Sequence, residues 1–182
     1  MSVRRPRAYA CCVNEPHDLK VRRLHDDERA WLEQELTRRW GSPQIVTRGH
    51  MHDAGCLPAF VCEAAGEPVG VATFAIRDGD CELVTLDALK EGGGAGSALL
   101  AAVVEEATRN KCRRLWLITT NDNLTALRFY QRRGLRLAAL HPGAVEESRR
   151  IKPSISLIGE HGIPMRDELE LELVLGRQGG QQ

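Results

Sequence analysis

One stretch constrains this chain more than any other: Cys81–Leu100, reading CELVTLDALKEGGGAGSALL. An apolar strand-like run enters four glycines within five residues, Gly92, Gly93, Gly94 and Gly96, and a helical pattern begins directly behind them. Glycine lets backbone N–H groups approach an anion closely, and a helix start adds about half a positive charge. The spacing predicts a strand–loop–helix unit whose turn, Gly92–Ser97 with Ala95 inside it, offers main-chain amides to phosphate. Two common phosphate loops are excluded by their own patterns. GxxxxGK[ST] needs a Gly-Lys pair that does not follow Gly92, and GxGxxG fits Gly92 and Gly94 but fails at Ser97.

The remaining chain is read around that unit. Its 182 residues suit one domain with a sizeable core. The 25 basic residues balance the 25 acidic ones, so no broad nucleic-acid surface is expected. No apolar run is long enough to span a membrane. The basic N-terminus lacks the apolar segment of a secretory signal, which places the protein in the cytoplasm as an expectation. Of the six cysteines (Cys11, Cys12, Cys56, Cys62, Cys81 and Cys112), none makes a CxxC pair. They are expected to be reduced, with Cys62 and Cys81 packed in strands.

Residues 1–20 read as a tail, 21–175 as a single domain and 176–182 as a second tail. Val21–Leu24 reads as a first strand. Leu32, Leu36 and Trp40 recur every four residues, so a helix capped by Asp26 or Asp27 runs to Trp40. Residues 42–58 read as loop, with room for a second short helix. Phe60–Ala64, Val69–Ile76 and Cys81–Leu89, joined by short turns, predict an antiparallel meander. The stripe Leu99, Leu100, Val103, Val104 and Ala107 predicts a helix ending near Asn110. Leu115–Thr120 reads as a central buried strand, Asn121 or Asp122 to Arg133 as a helix stopped by Gly134, and Leu135–Leu140 as a further strand. His141–Arg166 reads as a long loop, and Asp167–Leu175 alternates as a strand with one wet face. Helices interleaved with a mixed sheet make the class α/β.

A second motif is WLITTNDNLTALRFYQRRG, Trp116–Gly134. Asn123 and Tyr130 are two helical turns apart and share a face. An asparagine side chain can hold an amide, and a tyrosine hydroxyl can give a proton to a leaving thiolate. The bland readings are that Asn123 caps the helix and Tyr130 packs beside Phe129.

Together the two motifs carry a resemblance. Glu91-Gly92-Gly93-Gly94-Ala95-Gly96 followed by the NDN…AxxFYxxxG run (Asn121, Asp122, Asn123, Ala126, Phe129, Tyr130, Gly134) resembles the GNAT superfamily of acetyl-CoA-dependent N-acetyltransferases. Gly94 and Gly96 fit the family's loop pattern, and Glu91 departs from it. The resemblance implies a largely antiparallel central sheet flanked by helices, with Cys81–Leu89 and Leu115–Thr120 splayed apart. Acetyl-CoA would be the cosubstrate, its pantetheine paired with backbone at Leu86, Asp87 and Ala88, and its pyrophosphate on Gly92–Ser97. Asn123 would be a further contact. An amine of a small molecule or peptide would attack directly, and Tyr130 would protonate the thiolate. Glu82 is the candidate general base, with Asp87 or a water chain as alternatives.

The segment His141–Glu172 reads either as a lid over the acceptor pocket or as a solvated loop or dimer contact. Arg48, His50, His52 and Asp53 form a last cluster. It lacks a third ligand at metal spacing and reads as polar loop or acceptor contact, with no metal expected. Competing readings for the whole chain are a non-catalytic acyl-CoA-binding or sensing module and a structural domain, for instance a homodimer joined through C-terminal strands.

Overall fold

The computed structural model describes residues 18–90 and 93–176. Gly92, Cys11, Cys12 and nearly all of both expected tails lie outside the described residues. The chain runs β1 (Leu19–Arg23), a 3-10 turn (Asp26–Glu28), α1 (Arg29–Trp40), β2 (Gln44–Thr47), β3 (His50–Asp53), β4 (Ala59–Ala64), β5 (Glu67–Arg77) and β6 (Asp80–Ala88). It continues with α2 (Ala95–Arg109), β7 (Arg114–Thr120), α3 (Leu124–Gln131), β8 (Arg136–His141), α4 (Ala144–Ile151), a second 3-10 turn (Glu160–Gly162) and β9 (Glu168–Val174).

Seven strands form one sheet in the order β1-β4-β5-β6-β7-β9-β8, and β2 pairs with β3 alone. Every neighbouring pair is antiparallel except β6–β7. This is the expected mixed, largely antiparallel sheet flanked by helices. The meander is as predicted, its turns made by Ala65-Gly66 and Asp78-Gly79, both with two successive positive φ angles. Such turns twist in the same sense as the strands they join.

A core lies on each face. On one, Leu99, Leu100 and Val103 of α2 pack against Phe60, Phe74 and Leu83, with the Phe60 and Phe74 rings stacked 5.4 Å apart. On the other, Leu32 and Leu36 of α1 meet Val61, Val71 and Val84. Burying each such side chain stabilises the fold by about 1.5–3 kcal/mol. The buried thiols of Cys62, Cys81 and Cys112 belong to these layers, and Cys56 is exposed. Burial pushes the Cys81 thiol up to about 12, so it behaves as an inert apolar group.

The central strands part for a local reason. Thr73 pairs with Thr85 but Phe74 pairs with Leu83, so Val84 is an extra residue on β6. A bulge bends its strand and increases the local twist. The parallel pairing of β6 with β7 covers only Cys81↔Leu115 and Glu82↔Trp116, and it ends where the bulge begins. Beyond it β7 stays paired with β9 through Thr120, while β6 follows β5 to Ala88. The expected splay of the two strands is therefore present.

Several expectations are corrected. Residues 42–58 are not loop or helix but contain the β2–β3 hairpin, turned by Arg48-Gly49 with φ of 48° and 73°. α1 is preceded by a 3-10 turn in which Glu28, not Asp26 or Asp27, supplies the side-chain bond, accepting the His25 N–H at 2.9 Å. β7 is not buried on both sides: Leu115, Leu117 and Thr119 are buried, whereas Trp116, Ile118 and Thr120 are half-buried on the α1 face.

The segment His141–Arg166 is not a long loop, since it contains α4 and the second 3-10 turn. Arg149 gathers the turn that follows α4 by donating to the carbonyls of Ile155, Ser156 and Met165 at 3.0–3.1 Å. Asn121 clamps the far end, its Oδ1 accepting from Arg166 and Asp167 and its Nδ2 donating to Pro164. The glutamate face of β9 is not wet either. Glu168 accepts from Ser148 Oγ (2.7 Å) and the Arg48 N–H (2.9 Å), and Glu170 accepts from Arg114 (2.8 Å). Alternation alone identifies the face. Donors from α4 and from the β2–β3 turn then make its burial affordable.

Candidate active site

Three parts converge on the gap between β6 and β7. The first is the start of α2. Gly94 is its N-cap at φ 82°, with no side-chain cap among the described residues. First-turn amides of such a helix point outward along its axis, although the Ser97 N–H already donates to the Gly94 carbonyl at 3.0 Å. Gly96 lies against α3, where an added Cβ would stand 3.2 Å from Phe129 Cζ and 3.7 Å from Leu86 Cδ2. Ser97 Oγ accepts from Arg133 Nε at 3.1 Å, and that guanidinium sits 3.6 Å from the Phe129 ring centroid. Arg128, Arg132 and Arg133 line a surface groove of about 570 Å³ beside it. The glycine loop supplies the amides, and α3 supplies positive charge that the sequence reading missed. Its only signal was the Arg-Arg pair just before the stop at Gly134.

The second part is the open edge of β6. Leu86 turns toward Gly96, and Asp87 turns to the opposite face, where Trp40 Nε1–H donates to its Oδ2 at 2.9 Å. Burial pushes the Asp87 carboxyl above the usual range, partly opposed by that hydrogen bond. Ala88 ends the strand, exposed. Tyr130 enters from α3 with its ring buried. Burial, reinforced by the Asp87 charge, pushes its hydroxyl far above the ordinary tyrosine value, so it keeps its proton across the neutral range. Asn123 caps α3, its Oδ1 accepting the Ala126 N–H at 2.9 Å, which leaves its amide N–H groups for a ligand. The neighbouring Asp122 is buried and accepts the Glu160 N–H at 2.8 Å, tying down the segment after α4.

The third part is a cavity of about 390 Å³ on the α1 face. Its floor is two rows of the sheet. Ala75 pairs with Glu82 and Glu82 with Trp116; one step outward Arg77 pairs with Asp80, and Arg114 lies beyond on β7. Its roof is the β2–β3 hairpin, with Thr47, Arg48, His50 and His52. Glu82 is buried. Thr47 Oγ1 donates to its Oε1 at 2.7 Å, and His52 Nε2 lies 3.0 Å from Thr47 Oγ1 and 3.4 Å from Glu82 Oε1. His52 Nδ1 is buried without a partner among the described residues. Asp53 faces away and accepts from Cys56. Among the described residues no cluster of three or more His, Cys, Asp or Glu could hold a metal ion.

The acetyltransferase (GNAT) family matches residues 19–135. An uncharacterized protein of Bacillus subtilis, YdhI, is 41% identical over 141 residues, which are 77% of this chain and 88% of that protein.

The chain belongs to the acetyltransferase (GNAT) family.

Solved structures agree on the GNAT fold. The IAA acetyltransferase of Bacillus cereus superposes with a TM-score of 0.64 at 20% identity, over 87% of this chain and 100% of that one. A GNAT family acetyltransferase of Elizabethkingia anophelis, with acetyl-CoA bound, gives 0.63 at 17% identity, over 87% and 99%. Acetyl-CoA is the cosubstrate of the GNAT family. The residues here fit that group: a glycine-bounded helix start with no side-chain cap among the described residues, flanked by Arg133, beside a β6 edge that no described strand pairs beyond Glu82.

The GNAT motifs thus meet in space. Gly94, Gly96 and Ser97 stand at one end of the gap against α3, Leu86–Ala88 run along it with Tyr130 near Asp87, and Glu82 lies at the inner end, where β6 still pairs with β7. Thr47, Trp40 and the Trp116 wall escaped the sequence reading because only the fold brings them to Glu82 and Asp87. Among the described residues no helix is long and apolar enough to cross a membrane.

Proposed function

We propose that the protein transfers an acetyl group from acetyl-CoA to a primary amine of a small molecule or peptide, by direct attack within a ternary complex. The observation that carries this reading is the parting of β6 and β7 after two residue pairs, with the first-turn amides of α2 at one end and Glu82 at the other. Acetyl-CoA bound there supplies an acetyl thioester whose leaving group is a thiolate. Its pyrophosphate is assigned to the amides of Gly92–Ser97 with Arg133 beside them, and its pantetheine to the backbone of Leu86–Ala88.

Glu82, oriented by Thr47, takes a proton from the acceptor ammonium and leaves the amine lone pair free to attack. Tyr130, whose hydroxyl burial keeps protonated, donates that proton to the departing sulfur and takes back the proton that the acylated nitrogen sheds as the amide forms. Holding amine and thioester together is worth up to about 7–11 kcal/mol of the barrier. General acid and general base each contribute about 10²–10⁴-fold.

The test is thiol release with an amine panel, for the wild-type chain and for Glu82→Gln and Tyr130→Phe. Both variants should bind acetyl-CoA by calorimetry as the wild type does, and should lose about 10²–10⁴-fold in turnover. Tyr130→Phe turning over normally removes Tyr130 from the acid role. Acetyl-CoA binding with no amine-dependent release by the wild type would favour a sensing module instead.

A further inference from the structure

The acceptor class can be read from the cavity's charges, given the acetyltransferase reading above. Most of those charges are already neutralised. Asp80 is held by Arg113 and Arg114, each at 2.9 Å, and Arg114 also reaches Glu170 and Glu172 at 2.8 and 3.0 Å. Arg77 is the cross-strand neighbour of Asp80, but that carboxylate is taken. Arg77 is therefore an exposed cation without an ion-pair partner among the described residues. Arg48 hangs from the roof with only a long contact, 3.4 Å, to Glu170, and its head is nearly half exposed.

Glu82 stands in the adjacent row, two residues along the strand from the level of Arg77, or roughly 7 Å. Thr47 occupies its Oε1. Trp116 forms the flat wall between, its ring centroid 5.7 Å from the Arg48 guanidinium and 5.5 Å from that of Arg114. A cavity of about 390 Å³ is at the small end of ligand sites. Anion recognition by a planar guanidinium fork suits a carboxylate.

We propose that the acetyl acceptor is a small amine bearing its own carboxylate, of amino-acid type, with its nitrogen at Glu82 and its carboxylate held by Arg77 and Arg48. A polyamine fits poorly, since its second ammonium would meet Arg77, Arg48 and His50, with Asp78 at the turn as the one lining carboxylate not already engaged.

The test compares the standard L-amino acids, and short ω-amino acids, with their decarboxylated amines and with a peptide carrying a free N-terminus. The readout is kcat/KM for acetylation by the full chain. Each carboxylate-bearing acceptor should exceed its decarboxylated partner by about 10–150-fold, the range for hydrogen bonds to a charged group. Arg77→Ala should abolish most of that ratio through KM, and Arg77→Lys should restore part of it. The KM for acetyl-CoA should stay unchanged in both. Equal use of the decarboxylated amines, use of the peptide alone, or a ratio untouched by Arg77→Ala would overturn this acceptor class and leave the acetyltransferase reading standing. Acetyl-CoA binding with no acetylation of any of these amines would overturn both.

Discussion

Gly96→Ala is the sharpest probe of the cradle at the start of α2. The new methyl would lie 3.2 Å from Cζ and 3.3 Å from Cε2 of Phe129, a few tenths of an ångström inside ordinary contact. Overpacking of this kind costs about 1–3 kcal/mol. Alanine returns up to about 1 kcal/mol over glycine in a helix, less in the first turn. The net loss is about 1 kcal/mol, a Tm fall of roughly 2–4 °C for a domain of this size. Binding should suffer more. Phe129 carries the Arg133 guanidinium on its ring, and Arg133 bonds Ser97, so displacing the ring moves a cation and a helix end together. One hydrogen bond to a charged group lost is about 1.5–3 kcal/mol, or roughly 10–150-fold in Kd.

Phe129→Leu removes both ring atoms that the methyl meets. In that background Gly96→Ala should cost little or even stabilise. Thermal unfolding and calorimetry with acetyl-CoA on the four proteins of the cycle measure the coupling. Additivity within about 0.3–0.5 kcal/mol, or unchanged acetyl-CoA affinity in Gly96→Ala, would refute the argument that this glycine exists for the close approach of α3.

Two further perturbations test the supports around the site. Gly159→Ala would place a Cβ 1.9 Å from Asp122 Oδ2, against a buried carboxylate that holds the Glu160 amide. It should cost about 3 kcal/mol or free the segment after α4, read as faster amide hydrogen exchange at Glu160 and Met165. Glu28 is held down to about 2 by two hydrogen bonds from Arg22 (2.6 and 2.7 Å), helped by the His25 N–H, against an unfolded value of 4.5. A depressed carboxylate contributes stability above its unfolded pKa and loses it as pH falls toward the folded one. Glu28→Gln should therefore lower stability at pH 7 by about 1–2 kcal/mol after solvent screening, and flatten the acid limb of the stability curve between pH 4.5 and about 2.

What the sequence made legible was local. Gly92, Gly93, Gly94 and Gly96 announce a strand–helix turn, and apolar runs joined by short turns announce β4–β5–β6. What escaped it depends on partners far away in the chain. Gln44–Thr47 and His50–Asp53 are four residues each, and their only local signal is the Arg48-Gly49 turn. Glu168, Glu170 and Glu172 read as a wet face because alternation says which residues share a side, not what covers it. The donors come from Ser148, Arg48 and Arg114, at separations of 20, 120 and 56 residues. Glu82 was nameable as a base, but its burial was not, since Thr47 and His52 belong to the unrecognised hairpin. The bulge at Val84 leaves no mark in composition or periodicity, so the splay was legible only through resemblance.

That bulge has a mechanical consequence. Strands β1, β4, β5 and β6 make one half-sheet and β7, β9 and β8 the other, sewn together by two residue pairs. The seam beyond them exposes ladder groups on both lips. A linear amide-bearing molecule lying in the slot would bond as a substitute strand and stitch the halves across their weakest line. Occupancy and rigidity then become one quantity, and the empty protein is the softer state.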